Sequence, residues 1–296
     1  MPLPLYYFLS ITAINILMSW ALYLPYRVAQ LHFITVANMA ISGYTAAYLV
    51  MTLHFPFGLA LLIGFVLGGV IGYVVSLFIG DAPTFAVVIV GFTFIYITRT
   101  VIENLNVVGG TMGIFGLPNV GGDPVSHRWT IITLLYCLVL LVGFLIHRFD
   151  HSRLGRAASA VFVDKDLAAS LGVDNKKLGM LLQTFSCTVA GGCGVLYGFI
   201  YKSFHLDFFT FALVGIAMTI IFVGGYATQW GTVVAAPILG GVPLLFPSGI
   251  QSWRIVIYGA LLILVLVLKP EGFITRRLVF FMETFLSGNR KKRNSQ

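Results

Sequence analysis

Residues 129–149 read WTIITLLYCLVLLVGFLIHRF, and this stretch decides the class of fold. Its only charged side chain is Arg148, close to its end. A helix needs about 20 mostly apolar residues to cross a bilayer, so the stretch predicts a transmembrane helix. The whole chain has the same character: 58% of its 296 residues are hydrophobic and 9% are charged, whereas soluble domains carry about 25% charged residues.

This composition excludes two other classes of protein. Intrinsic disorder requires low hydrophobicity and many charges, the opposite of what is found. A disulfide-stabilised secreted fold is also excluded, because the three cysteines are an odd number and Cys137, Cys187 and Cys193 all lie in apolar runs. We therefore expect a polytopic membrane protein.

We expect an all-α polytopic membrane protein with about eight or nine transmembrane or re-entrant helices in one transmembrane domain, residues 1–296. The first segment has no basic region ahead of it, so we interpret it as an uncleaved helix. The seventh and eighth segments are short for full crossings, and either could be re-entrant. Pro237, Pro243 and Pro247 predict a kink in the eighth. The nine segments are 5–25, 32–52, 56–79, 83–105, 129–149, 178–200, 209–224, 231–247 and 253–269.

The distribution of basic residues predicts the orientation. Of the 18 Lys and Arg residues, 13 lie in 147–177 or from Lys269 onward. Four predicted helices separate these stretches, so both lie on one side of the membrane. The positive-inside rule places the loop 150–177 and the basic tail 270–296 in the cytoplasm and the N-terminus outside. We attribute the net charge of +8 to this bias, and expect membrane lipid rather than nucleic acid as a partner.

The sequence contains no recognised catalytic motif. It has no GxxxxGK[ST], HExxH, CxxC or GxSxG pattern. His147 and His151 have a spacing that could suit a metal, but we interpret them as interfacial histidines at a basic membrane exit. We expect no catalytic residue and no metal site in this chain.

Polar residues inside the predicted spans are the candidates for a substrate path. Arg99 and Glu103 are four apart and share a helix face; they either line a polar path or form a structural ion pair. Asn38, Ser42 and Thr45 make the second span unusually polar. They indicate either a site for a polar solute or tight helix packing.

Glycines recur every four residues on two spans. Gly64, Gly68 and Gly72 lie on the third span, and Gly194 and Gly198 on the sixth. Small residues at this spacing allow helix backbones to approach closely. We interpret both stripes as packing surfaces.

The longest polar segment before the tail is HSRLGRAASAVFVDKDLAASLGVDNKKLG, His151 to Gly179. Its part from Leu154 to Leu171 has helical composition, and Ala157, Val161, Ala168 and Leu171 are predicted to share one side. Its mixed charge suits docking to a soluble partner, although an ordinary solvated loop has a similar composition.

Three segments resemble the permease subunits of branched-chain (hydrophobic) amino-acid ABC importers, particularly their LivM-like branch. The loop from His151 to Gly179 is similar to their cytoplasmic coupling loop, S-x-x-G-R-A-x-x-A. RTVIENLNVVGGTMGIFGLP, Arg99 to Pro118, resembles their arginine and glycine-rich loop, and IVIYGALLILVLVLKPEGF, Ile255 to Phe273, their last helix. The resemblance runs from about residue 30 to 275.

The resemblance implies an importer permease fold and assigns roles to residues. Coupling to the ATPase would fall to Arg153, Gly155, Arg156, Ala157, Ala160, Asp164, Ala168, Leu171 and Gly172. The glycine-rich loop would be structural, through Gly109, Gly110, Gly113, Gly116 and Pro118.

The resemblance also implies partners and a location. The chain would pair with a homologous permease, two cytoplasmic ATPase subunits and an external solute-binding protein, in the plasma membrane of a bacterium. ATP and Mg²⁺ would bind the ATPase subunits, so no cofactor is expected in this chain. The solute would be an amino acid or a similar small molecule, crossing near the partner permease.

Two other classes of function fit the sequence less well. A secondary transporter or channel working alone would need intramembrane carboxylates for ion coupling, and only Glu103 stands in a predicted span. A membrane enzyme would need paired acids, a histidine cluster or a nucleophile, and no convincing set is present.

Overall fold

The computed structural model describes residues 2–80, 82–226, 228–241 and 253–268. Long helices follow the apolar runs. The α-helices are α1 Leu3–Tyr26, α2 Ile34–Met51, α3 Phe57–Ile79, α4 Thr84–Asn104, α5 Pro124–Asp150, α6 Arg153–Val163, α7 Lys165–Ser170, α8 Asn175–Tyr201, α9 Phe211–Gly224, α10 Gln229–Gly241 and α11 Arg254–Leu268. Two short strands, β1 Ile114–Phe115 and β2 Ser203–Phe204, pair antiparallel.

The prediction of an all-α polytopic protein is confirmed. Seven segments in the described part of the chain are long and apolar enough to cross a membrane: α1 to α5, α8, and Leu206–Gly224, which contains α9. The helices α10 and α11 are shorter, with 13 and 15 residues. Pro237 lies inside α10. Residues 242–247, which hold the other two prolines of the eighth predicted segment, and the tail 270–296 lie outside the described residues.

Prolines mark the start of several helices. Pro56 and Pro83 are the extended residues immediately before α3 and α4, and Pro124 is the first residue of α5. Proline lacks a backbone N–H and has a fixed φ, so it suits the first turn of a helix, where N–H groups have no partner within the helix.

Consecutive crossings alternate in direction and define two ends. The coupling-loop end contains the connection from α1 to α2 and the helices α6 and α7. The glycine-loop end contains residues 105–123, whose strand β1 pairs with β2 just after α8. The chain forms two compact units, one up to Ala217 and one from Met218, so α9 begins in the first and ends in the second.

Helix α8 packs against α1, α2 and α3 in the first unit. The buried glycines Gly64, Gly68 and Gly72 face it from α3, as predicted. A Cβ atom at Gly68 would lie 2.6 Å from the Cys187 carbonyl oxygen of α8. Gly194 similarly faces the backbone of Met39 in α2. These contacts confirm that the two stripes are packing surfaces.

Candidate functional site

The coupling-loop segment forms two helices where the composition predicts one continuous helix. Ser152 starts α6 by accepting a hydrogen bond from the Gly155 N–H at 3.2 Å. Asp164 then adopts extended backbone angles, and its carboxylate accepts from the N–H groups of Asp166 and Leu167 at 3.0 and 2.9 Å. An aspartate that caps a new helix competes with continuation of the old one. The break therefore falls at Asp164.

Because of this break, the predicted apolar side does not exist as one face. Val161 and Ala168 are buried and Ala157 is half-buried, but Leu171 is exposed. The two short helices are out of phase, so the 3.6-residue periodicity does not carry across Asp164. Leu171 is instead exposed, as are Val163 at the end of α6 and Leu167 in α7; 84% of Val163 and 75% of Leu171 are exposed. We refer to these three exposed side chains together as the exposed apolar face.

The remaining predicted coupling residues differ in their burial. Gly155 is buried where α6 turns back against the end of α5, and a Cβ there would lie 2.8 Å from the Asp150 carbonyl oxygen. Gly172 has a φ of +87° and follows the end of α7, a conformation that glycine adopts without strain. The exposed coupling residues also include Arg153, Arg156, Ala160 and Asp164.

Arg27, at the end of α1, connects the helical loop to the crossing helices. Its Nη2 lies 3.2 Å from Asp150 Oδ1 at the end of α5 and donates to Ser159 Oγ of α6 at 3.1 Å. The ring of Tyr26 meets that of Phe162 edge-on, with centroids 5.5 Å apart. Direct contacts therefore join α6 to the ends of α1 and α5.

Asp174 fixes the start of α8 at the same end. Its carboxylate accepts from the Lys177 N–H at 3.0 Å and pairs with Lys177 Nζ at 2.9 Å. The backbone hydrogen bond from Lys177 is the main cause that lowers the pKa of Asp174.

The polar residues of α2 lie at its contact with α3 and α8. Asn38 is buried, and its Nδ2 donates to the carbonyl oxygens of Gly68 and Cys187 at 3.0 and 2.8 Å. Its Oδ1 and the hydroxyl of buried Ser42 have no hydrogen-bond partner among the described residues. Thr45 is half-buried. Asn38 thus links three helices and still presents one unsatisfied oxygen.

Arg99 and Glu103 form an ion pair of 2.8 Å along α4. Asp207, from the 3₁₀ turn Leu206–Phe208, joins them: its Oδ1 lies 3.3 Å from Arg99 Nη2. His205 Nδ1 lies 3.2 Å from the other Asp207 oxygen. The sequence analysis missed Asp207 and His205, because no motif connects them to an arginine more than a hundred residues earlier.

The glycine-rich loop wraps onto the end of α8. Gly109, Gly110, Gly113 and Gly116 all have positive φ. A Cβ at Gly113 would strike the Phe204 carbonyl oxygen of β2. The N–H groups of Gly116 and Leu117 donate to the Lys202 carbonyl at 3.1 and 3.3 Å, which places Pro118 immediately after this anchor.

His127 of α5 holds the next part of this loop. The Val120 N–H donates to its Nδ1 at 3.0 Å, and its Nε2 lies 3.1 Å from the Phe199 carbonyl oxygen of α8. A ring that accepts at Nδ1 and donates at Nε2 is the neutral tautomer with the proton on Nε2. Two helices and the loop are therefore joined through one buried side chain.

No group of three or more potential metal ligands occurs within the part of the chain that the structure describes. His151 directly follows the last residue of α5, and its Nδ1 lies 2.9 Å from the His147 carbonyl oxygen of that helix.

In the part of the chain that the structure describes, seven apolar segments long enough to cross a membrane define a multi-pass membrane protein. The chain belongs to the family described as branched-chain amino acid transport system / permease component, whose model matches residues 5–266.

Comparison with individual proteins supports the same family. The chain is 28% identical over 160 residues to the high-affinity branched-chain amino acid transport system permease protein LivM of Escherichia coli, covering 54% of this chain and 37% of that protein. It is 25% identical to LivM of Salmonella typhimurium, covering 73% and 56%. It is 29% identical to the permease protein LivH of Salmonella typhimurium, covering 49% and 46%. The matches thus span about half the length of these relatives. No solved structure matches the chain.

Proposed function

We propose that this chain is a transmembrane permease subunit of an ATP-driven importer for branched-chain or other hydrophobic amino acids. Family membership and the names of the relatives support the class and the solute. The exposed apolar face of Val163, Leu167 and Leu171, on a loop fixed to two crossing helices by Arg27, is the observation that carries the mechanism.

The partners follow from this role. The chain pairs with a homologous permease, since relatives with the names LivM and LivH both match it. Two cytoplasmic ATPase subunits supply the energy, and an external solute-binding protein delivers the solute. The coupling-loop end then faces the cytoplasm of a bacterial cell and the N-terminus lies outside, as the basic residues of that loop favour.

The coupling works by docking. An apolar surface at a charged, basic end of a membrane protein indicates a protein partner, and α6 and α7 present theirs to a groove of the ATPase. When ATP closes the ATPases, they displace α6, and the contacts of Arg27 and Tyr26 transmit the movement to α1 and α5. The membrane domain switches between outward-open and inward-open states because ATP binds the two states of the complex with different affinity.

The solute passes near polar groups of α2 and α4. The unsatisfied buried oxygens of Asn38 and Ser42 support a polar lining, with Thr45 beside them. Arg99 and Glu103 lie nearer the glycine-loop end and receive the solute from outside.

The docking step is tested with two matched substitutions in the full importer. Val163→Asp places a carboxylate on the exposed apolar face, where burial against the ATPase leaves it unpaired. Such burial costs several kcal/mol, so ATP-driven uptake falls at least about tenfold. Val125→Asp makes the same change at the opposite end, where 56% of Val125 is exposed, and uptake stays normal. Equal uptake by both variants contradicts the docking role.

Two further variants address the geometry of the loop. Gly155→Arg forces α6 away from the end of α5, and Asp164→Lys removes the cap of α7. Both should abolish ATP-linked uptake while the complex still reaches the membrane. Normal uptake in both would refute the role of this loop.

A further inference from the structure

Three features near the glycine-loop end are not explained by packing: the Arg99–Asp207 pair, a buried tyrosine hydroxyl without a partner, and a strand and 3₁₀ turn between α8 and α9. We propose that Arg99, Asp207 and Tyr44 form a binding site for the charged α-amino and α-carboxylate groups of a free amino acid. The proposal deepens the proposed function and rests on it for the identity of the solute. We call these three residues the zwitterion site.

The site lies between one and two turns inside the ends of two crossing helices. Arg99 precedes the end of α4 by five residues and Tyr44 that of α2 by seven, which at 1.5 Å per residue is about 8 and 10 Å inside the helix ends. The segment 202–210 contacts both residues, and α9 begins only after it. Backbone that is not α-helical occurs within membrane proteins where it lines a cavity or is buried in protein, and transporters place solute sites at breaks between helices.

The two ion pairs of Arg99 are unequal. The pair with Glu103 is short, at 2.8 Å, and both partners belong to one helix. The pair with Asp207 is longer, at 3.3 Å, and 64% of the Asp207 side chain is exposed. The Arg99–Asp207 pair is therefore the one that a bound ligand can displace.

A zwitterion fits between Arg99 and Asp207 without leaving an unpaired charge. Its carboxylate takes the place of Asp207 at the Arg99 guanidinium, and its ammonium group binds the released Asp207 carboxylate. One ion pair is replaced by two, and both are charge-assisted hydrogen bonds. A solute with only one of these charges would form only one of the two new pairs, so that Arg99 would keep only Glu103, or Asp207 only His205.

Tyr44 supplies a neutral polar group to the same place. It is 2% exposed, and its hydroxyl has no hydrogen-bond partner among the described residues. Its ring packs against Phe204 and Phe209, which lie on either side of Asp207 in the chain, with centroids 5.5 and 6.3 Å away. A buried hydroxyl without a partner is costly, and a bound amino acid would satisfy it.

Aromatic rings continue from Arg99 along α4 toward the start of that helix. Tyr96 lies three residues before Arg99 on α4, and its ring is 5.1 Å from that of Phe92. Phe92 in turn meets Phe211, the first residue of α9, at 4.9 Å. All three rings are partly exposed. They provide an apolar surface for the side chain of a hydrophobic amino acid.

Equilibrium binding to the complete, nucleotide-free importer in nanodiscs, without the solute-binding protein, tests the site. The probe is radiolabelled L-leucine, with 3-methylbutylamine and 4-methylpentanoate as competitors that lack the carboxylate or the ammonium group. Arg99→Gln and Asp207→Asn should weaken leucine binding about tenfold or more, since each removes a hydrogen bond to a charged group. Tyr44→Phe should weaken it several-fold, and Arg99→Lys should restore part of the loss in Arg99→Gln.

Asp123→Asn, which removes an exposed carboxylate at the same end, is the control and should bind as the wild type does. Each competitor should displace leucine at least about tenfold less well than unlabelled leucine, because each satisfies one charge only. Absence of leucine binding to the wild type, unchanged binding by Asp207→Asn, or equal competition by the amine overturns the site.

A parallel uptake assay separates this proposal from the proposed function. ATP-driven leucine uptake by the wild type, together with unchanged leucine binding in Asp207→Asn, refutes the site and leaves the importer role intact. Binding that Asp207→Asn abolishes, in a complex that shows no ATP-driven uptake, supports the site and refutes the importer role.

Discussion

The contact between Gly68 of α3 and α8 gives a sharp test of the packing. Gly68→Ala places a Cβ 2.6 Å from the Cys187 carbonyl oxygen, 3.1 Å from the Gly191 Cα and 3.2 Å from Asn38 Nδ2. Ordinary contacts of this kind begin at 3.4 Å, so the helices must separate by about 0.8 Å. Two of the three neighbours are backbone atoms, which cannot rotate away.

The cost has two parts. Overpacking of a well-packed interior costs about 1–3 kcal/mol. The separation also weakens the two hydrogen bonds by which Asn38 bridges Gly68 and Cys187, each worth about 0.6 kcal/mol in a membrane protein. We therefore expect the free energy of unfolding to fall by about 2–4 kcal/mol.

This free energy is measured by equilibrium unfolding in mixed micelles, with steric trapping as the readout. Gly58→Ala, in the first turn of the same helix, is the matched control because nothing lies within 4 Å of its new Cβ. It should leave stability unchanged or raise it slightly. A Gly68→Ala protein as stable as the Gly58→Ala protein would refute the close approach of α3 and α8.

Three further outcomes are expected. Arg27→Met should reduce ATP-driven uptake at least about tenfold without detaching the ATPase in a pull-down, because α6 loses its charged contact with α1 and α5; wild-type uptake would contradict this. His127→Phe should speed hydrogen exchange at 119–122 about fivefold, since it removes a hydrogen bond worth about 1 kcal/mol; unchanged exchange would show that the loop does not depend on His127. Asn38→Ala should lower the free energy of unfolding by about 1–2 kcal/mol, the cost of leaving two buried carbonyls with one partner fewer; an equally stable variant would show that the bridge contributes little.

Hydropathy was sufficient to place the crossing helices, and the physical reason is simple. A bilayer imposes a minimum apolar length on every crossing, so α5 can be read from 129–149 alone. Glycine spacing likewise predicted that Gly64, Gly68 and Gly72 face another helix, because packing of close backbones needs small residues at one helical face. These features are local, and local patterns suffice to predict them.

Local sequence patterns could not predict the tertiary contacts of the candidate sites. Asp164 was counted as part of one helix, since propensity does not show whether an aspartate caps the next helix. The Arg99–Asp207 pair depends on a chain reversal after α8 that carries no charge pattern of its own. The role of Arg27 was equally hidden, because the sequence does not show that the ends of α1, α5 and α6 meet.

ATP-driven solute uptake in proteoliposomes tests the central claim most directly. Vesicles with both permeases, the ATPase subunits and the binding protein should accumulate leucine only when ATP is present on the ATPase side. Vesicles with this chain alone should accumulate none under any ion gradient. Accumulation by this chain without an ATPase would contradict the coupling role of α6 and α7.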